Sequence, residues 1–222
     1  PRDIKNFVSL ETAMDCEYLV IAIPAQQIRS WLKENFIFKG QKVLVASKGI
    51  EATTGQFLNE IYADLVNKKN IGFISGPSFA TEVIKGLPCA LVLNSRSKKL
   101  YNKFEPFFPS FIKTYYSSDV IGAEVAGAYK NVLAIASGIC EGLNLGKNAQ
   151  ASLISRGLVE MQRFGRHFGA KKSSFIGLSG AGDLFLTASS TMSRNYRVGL
   201  GLAANKKLET ILEELGEVAE GV

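Results

Sequence analysis

The feature that most constrains this chain is a set of short apolar runs, each followed by a stretch with helical spacing. Tyr18-Leu19-Val20-Ile21-Ala22-Ile23 reads as a buried strand ended by Pro24, with a helix over residues 25–34. Val43-Leu44-Val45-Ala46 reads as the next strand, and residues 55–66 as the helix after it. Ile71-Gly72-Phe73-Ile74-Ser75 is a third strand, stopped by Gly76-Pro77; two more, over residues 90–94 and 112–117, flank a helix beginning near Ser97. Continuously apolar strands joined by helices belong to a parallel sheet covered on both faces. From Asp119 onward the pattern is helical throughout. Residues 120–143 are apolar almost all round and crowded with small side chains, among them Gly122, Ala126, Gly127, Ala134 and Gly138. Such spacing lets another helix approach closely and predicts a central buried helix. An amphipathic helix over residues 150–168 and shorter helices after Gly180 complete the second part, giving an α/β domain over residues 1–118 and an all-helical one over residues 119–222.

With 222 residues, 46% hydrophobic and 21% charged, the chain can bury a sizeable core. It has no uncharged apolar stretch of about 18 residues, so no ordinary membrane-spanning helix is expected. Pro1-Arg2-Asp3-Ile4-Lys5 carries no apolar signal region and no initiator Met, so the natural protein is expected to begin earlier. The net charge of +6 comes largely from scattered single cations and from the pairs Lys68-Lys69, Lys98-Lys99, Lys171-Lys172 and Lys206-Lys207. These fall at the ends of helix-like segments, where water and the helix dipole should accommodate them. No aromatic-interleaved basic stripe goes with them, so nucleic-acid binding is not expected. Cations gathered for a small anion explain the charge equally well. Cys16, Cys89 and Cys140 have neither disulfide nor metal spacing and read as small buried hydrophobes in a reducing cytoplasm. His167 reads as a surface or capping residue.

Five features are poor structural choices. Lys130-Asn131 places an ammonium and an amide inside the buried helix, at a desolvation cost that Ala or Leu would avoid; the alternative is a lysine that snorkels to the surface. Ser47-Lys48-Gly49 follows a strand, at the edge where ligands of open α/β sheets gather, although a solvated loop lysine is the plainer reading. Gly76-Pro77-Ser78-Phe79-Ala80 is a tight turn at the same edge, with amides and a hydroxyl suited to an oxyanion. In Ser179-Gly180-Ala181-Gly182-Asp183-Leu184-Phe185-Leu186-Thr187, Asp183 is either a helix N-cap or, with Thr187 four residues on, one face of a polar site. Ser193-Arg194-Asn195 offers a planar guanidinium and a neutral donor for phosphate. Jointly these suit a small phosphorylated carbonyl compound whose oxygen is to be polarised.

The same blocks, with Glu124-Val125-Ala126-Gly127-Ala128-Tyr129-Lys130-Asn131-Val132 and the terminal Val218-Ala219-Glu220-Gly221-Val222, resemble in order and spacing those of bacterial glycerol-3-phosphate dehydrogenase. The resemblance spans essentially the whole chain. It implies a partial Rossmann-like sheet domain followed by a helical substrate domain, and a cytoplasmic enzyme for phospholipid synthesis. The implied reaction is hydride transfer between NAD(P)H and dihydroxyacetone phosphate, with no metal and with a homodimer as a possible assembly. It further implies Lys130 as proton donor with Lys48 beside it, Asp183, Asn131 and Thr187 in support, and Ser193, Arg194 and Asn195 on the phosphate. Gly76 and Ser78 would line the substrate side, and Ala80, Val218 and Glu220 the cofactor side, with Lys48 and Arg194 reaching both. Burial and Lys48 would together be expected to lower the Lys130 pKa.

The family's G-x-G-x-x-G turn is absent before Tyr18, and its last helices would follow Val222, so the 222 residues are expected to be part of a longer enzyme and to lack turnover alone. A silent sugar-phosphate-binding module and a 6-phosphogluconate or β-hydroxyacid type dehydrogenase are the alternatives. The Gly180 and Ser193 blocks argue against the second.

Overall fold

The structure, a computed structural model, describes residues 7–222. The signal-region reading of Pro1-Arg2-Asp3-Ile4-Lys5 lies outside the described residues. The chain forms two compact units, Pro1–Ile74 with Ser78–Val120, and Ser75–Pro77 with Ile121–Val222.

In chain order the first unit contains α1 (Leu10–Met14), β1 (Tyr18–Ile21), α2 (Ile28–Asn35), β2 (Lys42–Val45), α3 (Leu58–Ile61), β3 (Ile71–Ser75), α4 (Ala80–Ile84), β4 (Cys89–Asn94), α5 (Lys98–Phe104) and β5 (Ile112–Ser117). The strands form one sheet in the order β1-β2-β3-β4-β5. β1 with β2, β2 with β3, and β4 with β5 pair in parallel. At the remaining seam Asn94 Nδ2 donates to Phe73 O at 3.1 Å and Ser95 Oγ to Ile71 O at 2.8 Å. These two side-chain bonds tie the end of β4 to β3.

Alternation along β2 explains its unbroken apolar run. Val43 and Val45 join Ile28, Leu32, Leu58, Ile61, Tyr62 and Phe73 in one core cluster, while Leu44 packs with Leu93, Leu100 and Phe104 in another. Both faces of the strand are therefore buried. β1 stands first in the strand order, and its Val20 is 64% exposed. The helix expected over residues 55–66 is regular only over α3, after which tighter turns carry the chain to buried Val66. Ser97 caps α5 by accepting from Leu100 N at 3.4 Å, a bond of the kind worth about 1 kcal/mol.

Two other readings need correction. Cys16 is exposed in the turn before β1 and Cys89 is half-buried at the start of β4; only Cys140 is buried. Lys98-Lys99, Lys171-Lys172 and Lys206-Lys207 stand at helix N-termini, the end whose dipole disfavours cations. All six residues are exposed to water, and Lys206 Nζ also donates to Glu214 Oε1 and Oε2 at 2.7 and 2.6 Å.

The second unit is helical: α6 (Val120–Gly142), α7 (Lys147–His167), α8 (Lys172–Ile176), α9 (Asp183–Ala188), α10 (Arg194–Ala203) and α11 (Leu208–Leu215). The small residues of α6 act as anticipated. A Cβ placed on Gly138 would lie 2.2 Å from Tyr196 O, and one on Gly199 2.1 Å from Ile135 O, so α6 and α10 cross backbone to backbone. On the α7 side, a Cβ on Gly157 would meet Leu133 at 2.4 Å. Val198, Ile211 and Ala219 close a smaller core with Ile135, Leu202 and Leu212 around it. No helix among the described residues is long and apolar enough to cross a membrane.

Candidate active site

The centre of the helical unit is ionic. Lys130, on α6, is only 8% exposed and does not snorkel. Its Nζ donates to Asp183 Oδ1 at 2.8 Å and to Thr187 Oγ1 at 3.1 Å. Thr187 Oγ1 in turn donates to Asp183 O at 2.6 Å, which fixes the hydroxyl's lone pairs toward the ammonium. Asp183 and Thr187 are one helical turn apart on α9 and so share a face. Asp183 is the first residue of that helix, and the N-cap position is Gly182. The Asp183 carboxylate and the Lys130 ammonium form a buried ion pair.

Asp183 is presented by an unusual turn. Over Leu178–Gly182 the helix widens, with Gly182 N donating to Gly177 O at 3.1 Å in an i→i+5 bond. The Asp183 amide closes the same turn on Leu178 O and Gly180 O. A Cβ at Gly180 would lie 2.3 Å from Phe175 O, so only glycine lets the turn rest against α8.

Asn131 lies next to Lys130 and is 3% exposed, yet its Nδ2 is buried with no hydrogen-bond partner. A Cβ at Gly221 would come within 3.0 Å of the Asn131 carbonyl oxygen, which brings the end of the chain against this part of α6. Gly221 N donates to Asn195 Oδ1 at 3.0 Å, tying the same segment to the start of α10. Ser193 caps α10, its Oγ accepting from Tyr196 N at 3.3 Å, and Asn195 is buried in the first turn. The Arg194 side chain is half-exposed and meets Glu217 loosely at 3.5 Å. Val218 and Glu220 are exposed.

The remaining candidates sit at the carboxyl edge of the sheet. Lys48 is half-buried in the loop after β2. That loop is held on both sides. Ser47 Oγ donates to Ile23 O; Gln26 Nε2 donates to Ile50 O at 2.8 Å, and its Oε1 accepts from Ala52 N, also at 2.8 Å. Arg29 grips buried Glu51 through Nε and Nη2, at 2.7 and 2.8 Å. The pair holds the Glu51 carboxyl below its usual pKa, chiefly through the Arg29 bond and then through Thr54. Gly49 has φ +135°, and a Cβ there would come 2.9 Å from that of Ala25. After β3, Gly76 turns the chain at φ +115°, followed by exposed Ser78 and by Ala80 at the start of α4. The structure thus brings Lys130, Asp183 and Thr187 into direct contact. It gathers Asn131, Asn195 and the terminal segment around one stretch of α6, and it places Lys48, Ser78 and Ala80 in the sheet unit.

Profiles described as NAD-dependent glycerol-3-phosphate dehydrogenase N-terminus and C-terminus match residues 1–101 and 119–222. The chain belongs to the NAD-dependent glycerol-3-phosphate dehydrogenase family. An NAD(P)+ glycerol-3-phosphate dehydrogenase of Sulfurimonas denitrificans is 72% identical to it, over all of this chain and 75% of the relative. One from Campylobacter jejuni is 64% identical, over 100% of this chain and 74% of the relative. Among solved structures, glycerol-3-phosphate dehydrogenase from Coxiella burnetii superposes with a TM-score of 0.88 at 33% identity, covering 97% of this chain and 67% of that one.

For a member of this family, two features of the helical unit escaped the sequence reading. Ser137 Oγ donates to Ala188 O at 2.6 Å and accepts from Gln150 Nε2 at 3.0 Å, and that amide also reaches Tyr196 OH at 3.3 Å. This buried network joins α6, α7, α9 and α10. Gln150 carried a weak signal, as a polar residue on the buried side of an amphipathic helix; Ser137 carried none among so many small residues. The second is a buried hydroxyl pair, Ser75 Oγ and Ser179 Oγ, 2.7 Å apart.

Proposed function

We propose that the chain catalyses reversible hydride transfer between NAD(P)H and dihydroxyacetone phosphate, giving sn-glycerol 3-phosphate for phospholipid synthesis, with Lys130 as the proton donor. The observation that carries the reading is the orphaned Asn131 Nδ2 in the residue beside the buried, ion-paired Lys130. A buried donor without a partner costs about 1–3 kcal/mol, a loss that a substrate oxygen would recover. Ammonium and amide together suit a carbonyl oxygen that becomes an alkoxide, the change that hydride addition produces. That change needs a hydride donor, and a nicotinamide dinucleotide, when bound, supplies the hydride to the carbonyl carbon.

As a new C–H bond forms at that carbon, the carbonyl π pair moves onto oxygen. Lys130 stabilises the charge and gives the oxygen a proton, becoming a neutral amine. Asp183 holds the ammonium in place and Thr187 fixes its direction. Asn131 donates to a substrate oxygen. Ser193, Arg194 and Asn195 receive the phosphate at the N-terminus of α10, where Arg194 can exchange its loose Glu217 contact for it. Lys48, Gly76 and Ser78 are assigned to the substrate side of the sheet edge, and Ala80, Val218 and Glu220 to the dinucleotide, with Lys48 and Arg194 serving both. We place the reaction in the cytoplasm, which suits three free thiols.

The test follows absorbance of reduced nicotinamide with dihydroxyacetone phosphate, on the natural chain and on Lys130→Ala. Oxidation that drops by ~10³-fold or more in a folded variant is expected. Near-parental turnover in Lys130→Ala would remove the proton-donor role, and no oxidation by the parent with either cofactor would remove the reaction.

A further inference from the structure

We infer that the Ser75–Ser179 hydroxyl pair is a latch that positions Asp183, and through it the Lys130 ammonium, by pinning the widened turn to the Ser75–Pro77 segment of the same compact unit. The inference rests on the proton-donor role proposed for Lys130.

Both serines are almost fully buried, at 3% and 5% exposure, and their oxygens are 2.7 Å apart. Ser179 lies inside the widened turn, between Leu178 and Gly180, whose carbonyls receive the Asp183 amide. An i→i+5 turn is a strained departure from the ordinary helical ladder and needs outside contacts to persist. Two are already present. Gly180 is pressed against the backbone of Phe175, and the Cβ position of Gly182 lies 3.7 Å from Pro77 Cδ. Both are van der Waals stops. They limit approach but leave the turn free to slide or rotate along the contact.

The serine pair is the directional element. It fixes Ser179 to the residue before Gly76, so the Gly76-Pro77 bend and the start of α9 share one anchor. Asp183 follows four residues after Ser179, and its carboxylate sits 2.8 Å from Lys130 Nζ. Ser179 touches neither reacting group in this scheme; it is a positioning residue. Removing its hydroxyl should loosen the Asp183–Lys130 pair while leaving the phosphate contacts on α10 intact.

Ser179→Ala, measured on the natural chain, is therefore expected to lower kcat about tenfold, short of the ~10²-fold that a misplacement of about 1 Å can cost. KM for dihydroxyacetone phosphate should stay within about twofold, because that parameter follows binding groups elsewhere. The alkaline limb of reductive turnover should move to lower pH, since a less firmly paired ammonium gives up its proton sooner. Ser75→Ala should act in the same direction, and the double variant should be no worse than the poorer single one. A readout independent of turnover is the Lys130 Nζ resonance in lysine-selective nitrogen NMR, which should broaden in Ser179→Ala. Parental kcat with an unchanged pH profile and an unchanged Lys130 resonance would overturn the latch. So would two single losses that simply add. A parent that never oxidises reduced nicotinamide sinks the proposed reaction instead, while the resonance still decides whether Ser179 governs the Lys130 pair.

Discussion

Two polar stations lie about two turns apart on α6, and they are finished differently. At Ser137 the hydroxyl donates to Ala188 O and accepts from Gln150, whose amide also reaches Tyr196. At Lys130-Asn131 the ammonium is paired with Asp183, but the neighbouring amide nitrogen is buried without a partner. A network closed on itself holds helices together; one with an open valence is shaped for something that arrives later. Both stations interrupt an apolar helix in much the same way, so the distinction lies in the completeness of the bonding.

The comparison is tested hardest at Asn131. Asn131→Leu removes a donor that makes no bond in the folded chain, so stability should hold or rise while kcat falls ~10²-fold, the size of effect seen when one donor to a developing oxyanion is lost. Urea unfolding beside initial rates measures both, and a large loss of stability would show that Asn131 is structural. Arg194 is the next largest. Its contact with Glu217 is long and exposed, so Arg194→Ala should leave stability within about 0.5 kcal/mol. KM for the phosphorylated substrate should rise about tenfold or more, the equivalent of 1.4 kcal/mol, as expected for a lost charge-assisted bond. An unchanged KM would remove Arg194 from the phosphate site. Ser137→Ala should do the opposite. It strands Ala188 O, lowering stability by about 1 kcal/mol or somewhat more, with turnover near parental. A selective loss of kcat would break the contrast by joining the two stations into one functional network.

The architecture was largely legible because it rests on periodicity. β3 and β5 fall on the expected residues, α6 begins and ends within a residue of the expected run, and its glycines mark a helix crossing. Helix extent was less legible: residues 55–66 read as one helix, and only Leu58–Ile61 is regular. In the site, Lys130 and Asp183 stood out because charge is costly in an apolar helix and beside glycines. Ser137 did not, and Ser179 stood out only as the start of the glycine block, since a serine among glycines and alanines says little until its partner, 51 or 104 residues away, is known.

Tyr62 supplies the smallest effect and the sharpest limit on the comparison, because its hydroxyl too is buried without a partner. It lies in the core of the sheet unit, fully buried, its ring edge-on to Phe73 at 6.4 Å, among Ile28, Leu32 and Val43. An open valence surrounded by hydrocarbon has no charged neighbour to recruit a ligand, so this one is a tolerated cost. Burial pushes the Tyr62 hydroxyl above its usual 10.0. The folded chain then keeps this proton where the unfolded chain releases it. Whatever stability the neutral hydroxyl permits is fully present below the unfolded pKa and is lost as pH rises through about 10 toward the folded value. Tyr62→Phe has no such proton and removes an unsatisfied oxygen. Near pH 7 its stability should equal or slightly exceed that of the parent, by about 0.5 kcal/mol, and the margin should widen above about pH 10. Urea melts at neutral and alkaline pH measure it. A Phe variant that is less stable at both would mean that the hydroxyl has a partner, and would separate the open valence at Asn131 more cleanly from the buried hydroxyl of Tyr62.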